Sequence, residues 1–247
     1  MSLSLIADAL QITQPLLSLI KSLYNWWNFI LPAQKVLGPA SKNNSKLVVF
    51  VRDFFVAPGT QLLVREGVNG ATGVVPNVLE LWPRVEATSL TRLFNTLGQI
   101  GKTRNIEIIE MSKDAGIWNH NLIVLGAQAQ KCFDFYTSMP EVAYKMNASD
   151  ISNNKTGKVV QRVTGYGYGI ILKSKNPFVP KKGVAFLLGG FGTLGTEAAV
   201  YYFTRNLADL GKQFGRNSFG IVVRASASAG VESAERLKKF DIKFENR

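Results

Sequence analysis

Three short runs of this chain carry almost nothing but apolar residues: Leu47–Val51, Leu122–Gly126 and Val184–Leu188. Each is too short for a helix and lacks the alternation of a half-buried strand. They read as strands covered on both faces, which places them in a sheet sandwiched between other layers. Between the first two, a Gly/Pro/Asn-rich loop reaches to about Pro83, and 86–100 has helical spacing through Leu90, Leu93, Phe94 and Leu97. A strand at 105–111 and a helix at 128–138 complete the order strand, helix, strand, strand, helix. That order predicts an α/β fold, a mostly parallel Rossmann-like sheet with helices on both faces. No repeat of 20 to 50 residues is visible.

The C-terminal part continues the sheet. In Gly165-Tyr-Gly-Tyr-Gly169, running into Ile170–Leu172, alternation puts Tyr166 and Tyr168 on one face and bare glycine on the other. A rigid turn follows at 176–180, and then the strand 184–188, a glycine-rich turn at 189–195 and a helix from Thr196 to Leu210. Residues 219–228 and 237–244, joined through Gly230, predict a closing antiparallel hairpin.

The motif that carries chemistry is Gly190-Phe-Gly192-Thr-Leu-Gly195, which follows an apolar strand and opens a helix. In a dinucleotide fold the first glycine makes the tight turn, the second lets backbone approach a pyrophosphate, and the third allows close helix packing. Gly190, Gly192, Thr193, Gly195 and Thr196 are therefore candidate ligand-binding residues, and Arg224 in the following strand is a further candidate to face a phosphate. The ligand would be a nucleotide or another anionic small molecule. Against this stand Glu197, expected in the first helical turn where it would repel a phosphate, and the lack of an acid about 20 residues downstream for a ribose hydroxyl. A glycine turn serving only tight packing is the competing reading.

Residues 1–40 differ in composition. Their only charges are Asp8, Lys21 and Lys35, while Ile12, Leu16, Leu19, Ile20, Leu23, Trp27 and Ile30 recur at three- and four-residue steps. Pro15 is expected near the first turn of this helix and Pro32 at its end. Tyr24, Trp26, Trp27 and Phe29 form an aromatic cluster of the kind that settles at a water–hydrocarbon boundary. Polar residues interrupt the run too often for a spanning helix, and no basic stretch precedes it as in a secretory signal. Residues 12–31 are thus expected to meet a membrane surface, a sister subunit or their own domain. Residues 41–45 read as a linker, with the Rossmann-like α/β domain filling 46–247.

The formal charge is +12, but its distribution is uneven: +3 over 1–46, −1 over 47–150 and +10 over 151–247. Ten bases lie between residues 151 and 216 and ten glycines between Gly165 and Gly215, which suggests either a basic glycine-rich cleft for an anion or a solvated basic face. Single copies of cysteine (Cys132) and histidine (His120) leave no set of transition-metal ligands and no intramolecular disulfide.

The segments Leu47–Val51, Asn121–Gly126, Tyr168–Phe178 and Ala185–Ala199 resemble those of a loose set of uncharacterised bacterial Rossmann-like domains that occur alone or attached to regulatory and signalling modules. The resemblance spans about 46–247. It implies a Rossmannoid fold and ligand sensing, and it carries no catalytic residues with it. Where that pattern places a glycine-rich turn with Asn after the 121–126 strand, this chain has Ala127-Gln-Ala-Gln130.

Three functional classes follow. The first is a non-enzymatic ligand-binding, signalling or assembly module, cytoplasmic or peripheral on the inner membrane surface. The second is a nucleotide-processing enzyme using a strand-end carboxylate, with Glu197 the choice over Asp53, Glu110 and Asp114. The third is a nucleic-acid-binding protein, although the bases are scattered and no groove-reading motif is present.

Overall fold

The computed structural model describes residues 17–51, 64–65, 72–73, 84–110, 119–126, 136–138, 143–147, 149–176, 178–179 and 183–244. Of the helix expected at 128–138 only 136–138 is described, and it is helical; residues 128–135, Pro15, Cys132, Asp53 and Asp114 lie outside the described residues. The fold is mixed α/β. Its central sheet runs β12-β11-β9-β10-β5-β1-β4, with β13 beside β12 along β11. Here β1 is Leu47–Val51, β4 Ile106–Glu110, β5 Asn121–Leu125, β9 Tyr166–Lys175, β10 Val184–Gly190 and β11 Phe219–Ser226. The two-residue strands β12 and β13 are Glu235–Arg236 and Ile242–Lys243, and β2 (Val64–Arg65) pairs with β3 (Thr72–Gly73) apart from this sheet.

The three apolar runs sit side by side. β10, β5, β1 and β4 are mutually parallel, and β1 and β5 are buried along their whole length. From β10 the sheet continues antiparallel through β9 to β11. The expected closing hairpin takes another form: the returning chain pairs with β11 in two short pieces, β12 and β13, interrupted by a 3-10 turn at Lys238–Phe240.

One sheet face is covered by four helices: α1 (Leu31–Leu37), α2 (Arg84–Gln99), α3 (Gly192–Arg205) and α4 (Leu207–Phe214). The other face packs against Tyr136 and a small antiparallel sheet that the sequence reading did not anticipate. Its strands are β6 (Tyr144–Met146), β7 (Asp150–Asn153) and β8 (Val159–Gln161). A Cβ at Gly220 of β11 would stand 2.7 Å from the Tyr144 ring, so bare backbone lets the small sheet approach. Tyr144 Oη donates to the Phe240 carbonyl at 2.8 Å and Asn153 Nδ2 to the same oxygen at 3.0 Å, which ties this sheet to the C-terminal segment.

The helix predicted over 196–210 begins at Gly192 and breaks at Asn206, whose Nδ2 donates to the Tyr202 carbonyl at 2.9 Å. Glu197 accordingly lies in the second turn of α3 and not in the first. The N-terminal helix also departs from expectation. It is α-helical over 17–25, π-helical over Trp26–Ile30 and α-helical again to Leu37, so Pro32 does not end it. The π turn before Pro32 shifts the hydrogen-bond register, with the Leu31 N–H bonded to the Trp26 carbonyl, and so accommodates a ring that has no N–H.

One side of residues 32–40 belongs to the core, while Lys35 is exposed. Ala33, Val36, Leu37 and Ala40 are fully buried with α2, α3 and α4. The stretch read as a linker is a tie: Lys102 Nζ donates to the carbonyls of Lys42 (2.7 Å) and Ser45 (2.5 Å). Asn43 Oδ1 accepts from the backbone of Thr103 and Arg104, and its Nδ2 donates to Gly101. Asn121 completes the junction, donating to Ser45 Oγ and the Lys46 carbonyl and accepting from the Val184 N–H.

Gly211 of α4 rests directly on Pro32, because a Cβ there would collide with the Pro32 carbonyl. Gly211→Val is expected to lower stability by about 3 kcal/mol. Gly98→Ala, where nothing lies within 4 Å, should instead raise it by about 0.5 kcal/mol through helix propensity. Urea denaturation of the two variants checks both signs.

Candidate functional site

The Gly-x-Gly-x-x-Gly turn stands where β10 passes into α3, at the carboxyl end of the strand. The Gly126 N–H donates to the Leu188 carbonyl at 2.9 Å, which brings the end of β5 alongside. In open α/β sheets this end of the strands is where ligand crevices form. The strand order reverses about β1, with β4 on one side and β5 on the other.

The three glycines of the motif divide into two roles. A Cβ on Gly190 or Gly195 would collide with the Tyr168 carbonyl, and one on Gly169 with the Gly195 carbonyl. Backbone therefore meets backbone where α3 starts over β9. One hydrogen bond closes the contact, from the Phe191 N–H to the same Tyr168 carbonyl at 2.9 Å. The β9 alternation read from the sequence is present: Tyr168 packs on the face away from α3, while Gly167 faces Leu194, whose side chain would be 2.6 Å from an added Cβ.

Gly192 is different. Its φ is +64°, nothing lies within 4 Å of the position a Cβ would take, and the residue is exposed. Thr193 beside it is also exposed. Phe191 stands at the N-cap with no side-chain hydrogen bond capping the helix. The first amides of α3 have no intrahelical acceptor and lie at the positive end of the helix dipole, on residues that are exposed at 192 and 193.

Of the remaining candidates, Thr196 is buried within α3 and Glu197 is half-buried one turn past the opening amides. Arg224 is held elsewhere. Its Nε donates to Glu235 Oε1 at 2.5 Å, and its guanidinium lies 5.2 Å from the centre of the Tyr166 ring. In β11 it alternates with Val223 and Ala225, which pack with the helices, so it projects from the opposite face to α3. The hydrogen bond to Glu235 raises its pKa above the ordinary value. The cation beside the turn is Arg162, whose guanidinium sits 4.6 Å from the centre of the Phe191 ring. Sequence reading counted it only among the ten bases of 151–216 and did not single it out, because 28 positions separate it from Gly190 and only the β8–β9 connection brings it there.

The positive charge of residues 151–216 does not converge on the turn. Lys175 pairs with Val184 at the far end of β10, whereas the turn adjoins Gly169 and Gly190. Arg205, Lys212 and Arg216 are exposed at the C-terminal ends of α3 and α4, where cations favour the helix dipole. Lys181 and Lys182 lie outside the described residues. Among the described residues no group of three His, Cys, Asp or Glu side chains is placed to hold a metal.

No protein-family model matches the chain, and no curated protein matches it.

Lys173 is the buried member of that basic set, on β9 with Nζ donating to the Gly215 carbonyl at 3.2 Å at the end of α4. Burial, and then the nearby Arg216 charge, lowers its pKa from 10.5 to about 8. The unfolded chain holds this proton more tightly, so the penalty is full below pH 8 and is relieved as pH rises toward 10.5. Stability should rise by about 2 kcal/mol between pH 7.5 and 9.5 from this group, at about 1.4 kcal/mol per unit of pKa difference. Urea midpoints of wild type and Lys173→Met at both pH values check it, since the variant should lose that rise.

Proposed function

We propose that the protein is a non-enzymatic binding module for a phosphorylated or nucleotide-like ligand, with the phosphate seated on the opening amides of α3. The observation that supports this most is Gly192: an exposed residue at φ +64°, with no atom in the space above its Cα, at the start of an uncapped helix. Packing explains Gly190 and Gly195, and the positive φ calls for glycine at 192, where the space above the Cα is in addition left open. The Gly192 and Thr193 N–H groups would bind phosphate oxygens, and the helix dipole would favour the anion. Arg162, exposed beside Phe191, adds a positive charge at the rim.

The test is calorimetric titration with ATP, ADP and inorganic phosphate, preceded by mass spectrometry of small molecules released from the purified protein. A side chain at Gly192 would stand over the phosphate, and left-handed backbone costs a non-glycine residue about 1–2 kcal/mol. Gly192→Val is therefore expected to fold with a lowered melting temperature and to lose at least tenfold in affinity for whichever phosphorylated ligand the wild type binds. Undiminished binding by the folded variant contradicts the reading, as does a wild type that binds none of the three and releases no phosphorylated compound.

A further inference from the structure

We propose that residues 17–27 form an interfacial helix that lies on an anionic lipid surface, a role independent of the ligand reading at α3. The starting point is where the exposed apolar surface falls. Leu17, Leu19, Ile20, Leu23, Tyr24, Trp26 and Trp27 are all at least 45% exposed, and among the described residues only Val159, Val163, Tyr166 and Phe178 join them as exposed large hydrophobic side chains. The following turns, by contrast, are core: Pro32, Ala33, Val36 and Leu37 are buried. One continuous helix thus passes from a buried half into a half whose apolar residues meet water.

The exposed half is sharply two-sided. At about 100° per residue, Leu17, Leu19, Ile20, Leu23 and Tyr24 fall within an arc of roughly 160°, and Ser18, Lys21, Ser22 and Asn25 fill the opposite side. Trp26 and Trp27 extend the apolar side into the π-helical stretch, with ring centres 6.5 Å apart. A single partner helix packs along a narrower seam than this and would leave the flanks wet. A hydrocarbon surface covers a half-cylinder at once.

Charge and residue type favour the same occupant. Residues 17–45 carry three lysines (Lys21 on the helix itself, Lys35 and Lys42) and no acid, a sign complementary to anionic headgroups, while Lys46 is paired with Glu107 at 2.5 Å. Trp26, Trp27 and Tyr24 are the side chains that settle at headgroup level. No helix among the described residues is long and apolar enough to cross a membrane, so contact with lipid would be along the surface. Core packing of Ala33, Val36 and Leu37, with Gln34 Nε2 donating to the Ile100 carbonyl at 3.0 Å, anchors the base of this helix to the α/β domain, which would fix the orientation of that domain on the membrane.

The experiment is flotation of the full chain with vesicles of phosphatidylcholine containing about a third phosphatidylglycerol, and with phosphatidylcholine alone, alongside sedimentation velocity without lipid. The expected result is partitioning into the anionic vesicles, several-fold weaker on phosphatidylcholine and reduced at least tenfold by Leu23→Glu or by Trp27→Ser. Both substituted positions are more than half exposed, so the variants should melt with the wild type, and a loss of binding then reports the surface and not the fold. The proposal is overturned if the wild type floats with neither vesicle. It is overturned equally if partitioning survives both substitutions, or if the chain forms a dimer that Leu23→Glu dissociates while vesicles leave it unbound.

Discussion

The contact on which the rest of the structure depends is backbone against backbone, where α3 begins over β9. Gly169, Gly190 and Gly195 let the two main chains meet without side chains between them, and the Tyr168 carbonyl takes the Phe191 N–H in the gap. No other residue type fits there, because any Cβ would collide with a carbonyl oxygen. The close approach sets the direction of α3 across the sheet, and so where Ala198, Ala199 and Phe203 enter the core. It also leaves Gly192 exposed at the end of the strand with φ +64°, because the chain must turn from a buried strand into a helix packed on the sheet.

The two sheet faces use different means of closure. On the helical face, α1 through α4 share one apolar cluster, and Gly211 lets α4 lie directly on Pro32. On the other face a small three-stranded sheet packs Tyr144, Ile151 and Val160 into a second apolar cluster and adds polar ties: the Tyr136 hydroxyl bridges to the Tyr144 backbone, and Tyr144 and Asn153 converge on the Phe240 carbonyl. Burial raises the pKa of both tyrosines, so they remain neutral hydrogen-bonding groups across the ordinary pH range. The junction of buried Lys102 and Asn121 with exposed Asn43 ties the chain that follows the N-terminal helix to the domain. Whatever residues 17–27 meet is therefore coupled mechanically to the sheet.

Much of the sheet was legible because burial on both faces leaves a plain mark. Leu47–Val51, the strand at Asn121 and the strand at Val184 all occupy the positions their apolar runs implied, and the Tyr/Gly alternation of 165–169 correctly separated the faces of β9. The small sheet left no such mark, since its strands are three or four residues long and interleave Lys, Asn and Ser with Tyr144, Ile151 and Val160. Pro32 was misleading because a π turn before it supplied a register that propensity rules do not anticipate. Residues 41–45 looked like a linker because polar composition is the same whether side chains meet water or, as with Asn43, meet backbone. In the candidate site the glycines were legible from their spacing, whereas Arg162 was not, since only the path of the chain from β8 to β9 brings it to Phe191.

The measurement that bears most directly on this account is native-state amide hydrogen exchange across the start of α3. The Phe191 N–H is bonded to the Tyr168 carbonyl and buried, so it should exchange only through global unfolding and share the free energy of the core amides of β10. The Gly192 and Thr193 amides, one and two positions on, should exchange orders of magnitude faster in the free protein. Equal protection at all three positions would mean that the helix start is closed by contacts other than the glycine backbone, and would contradict the account. So would rapid exchange at Phe191.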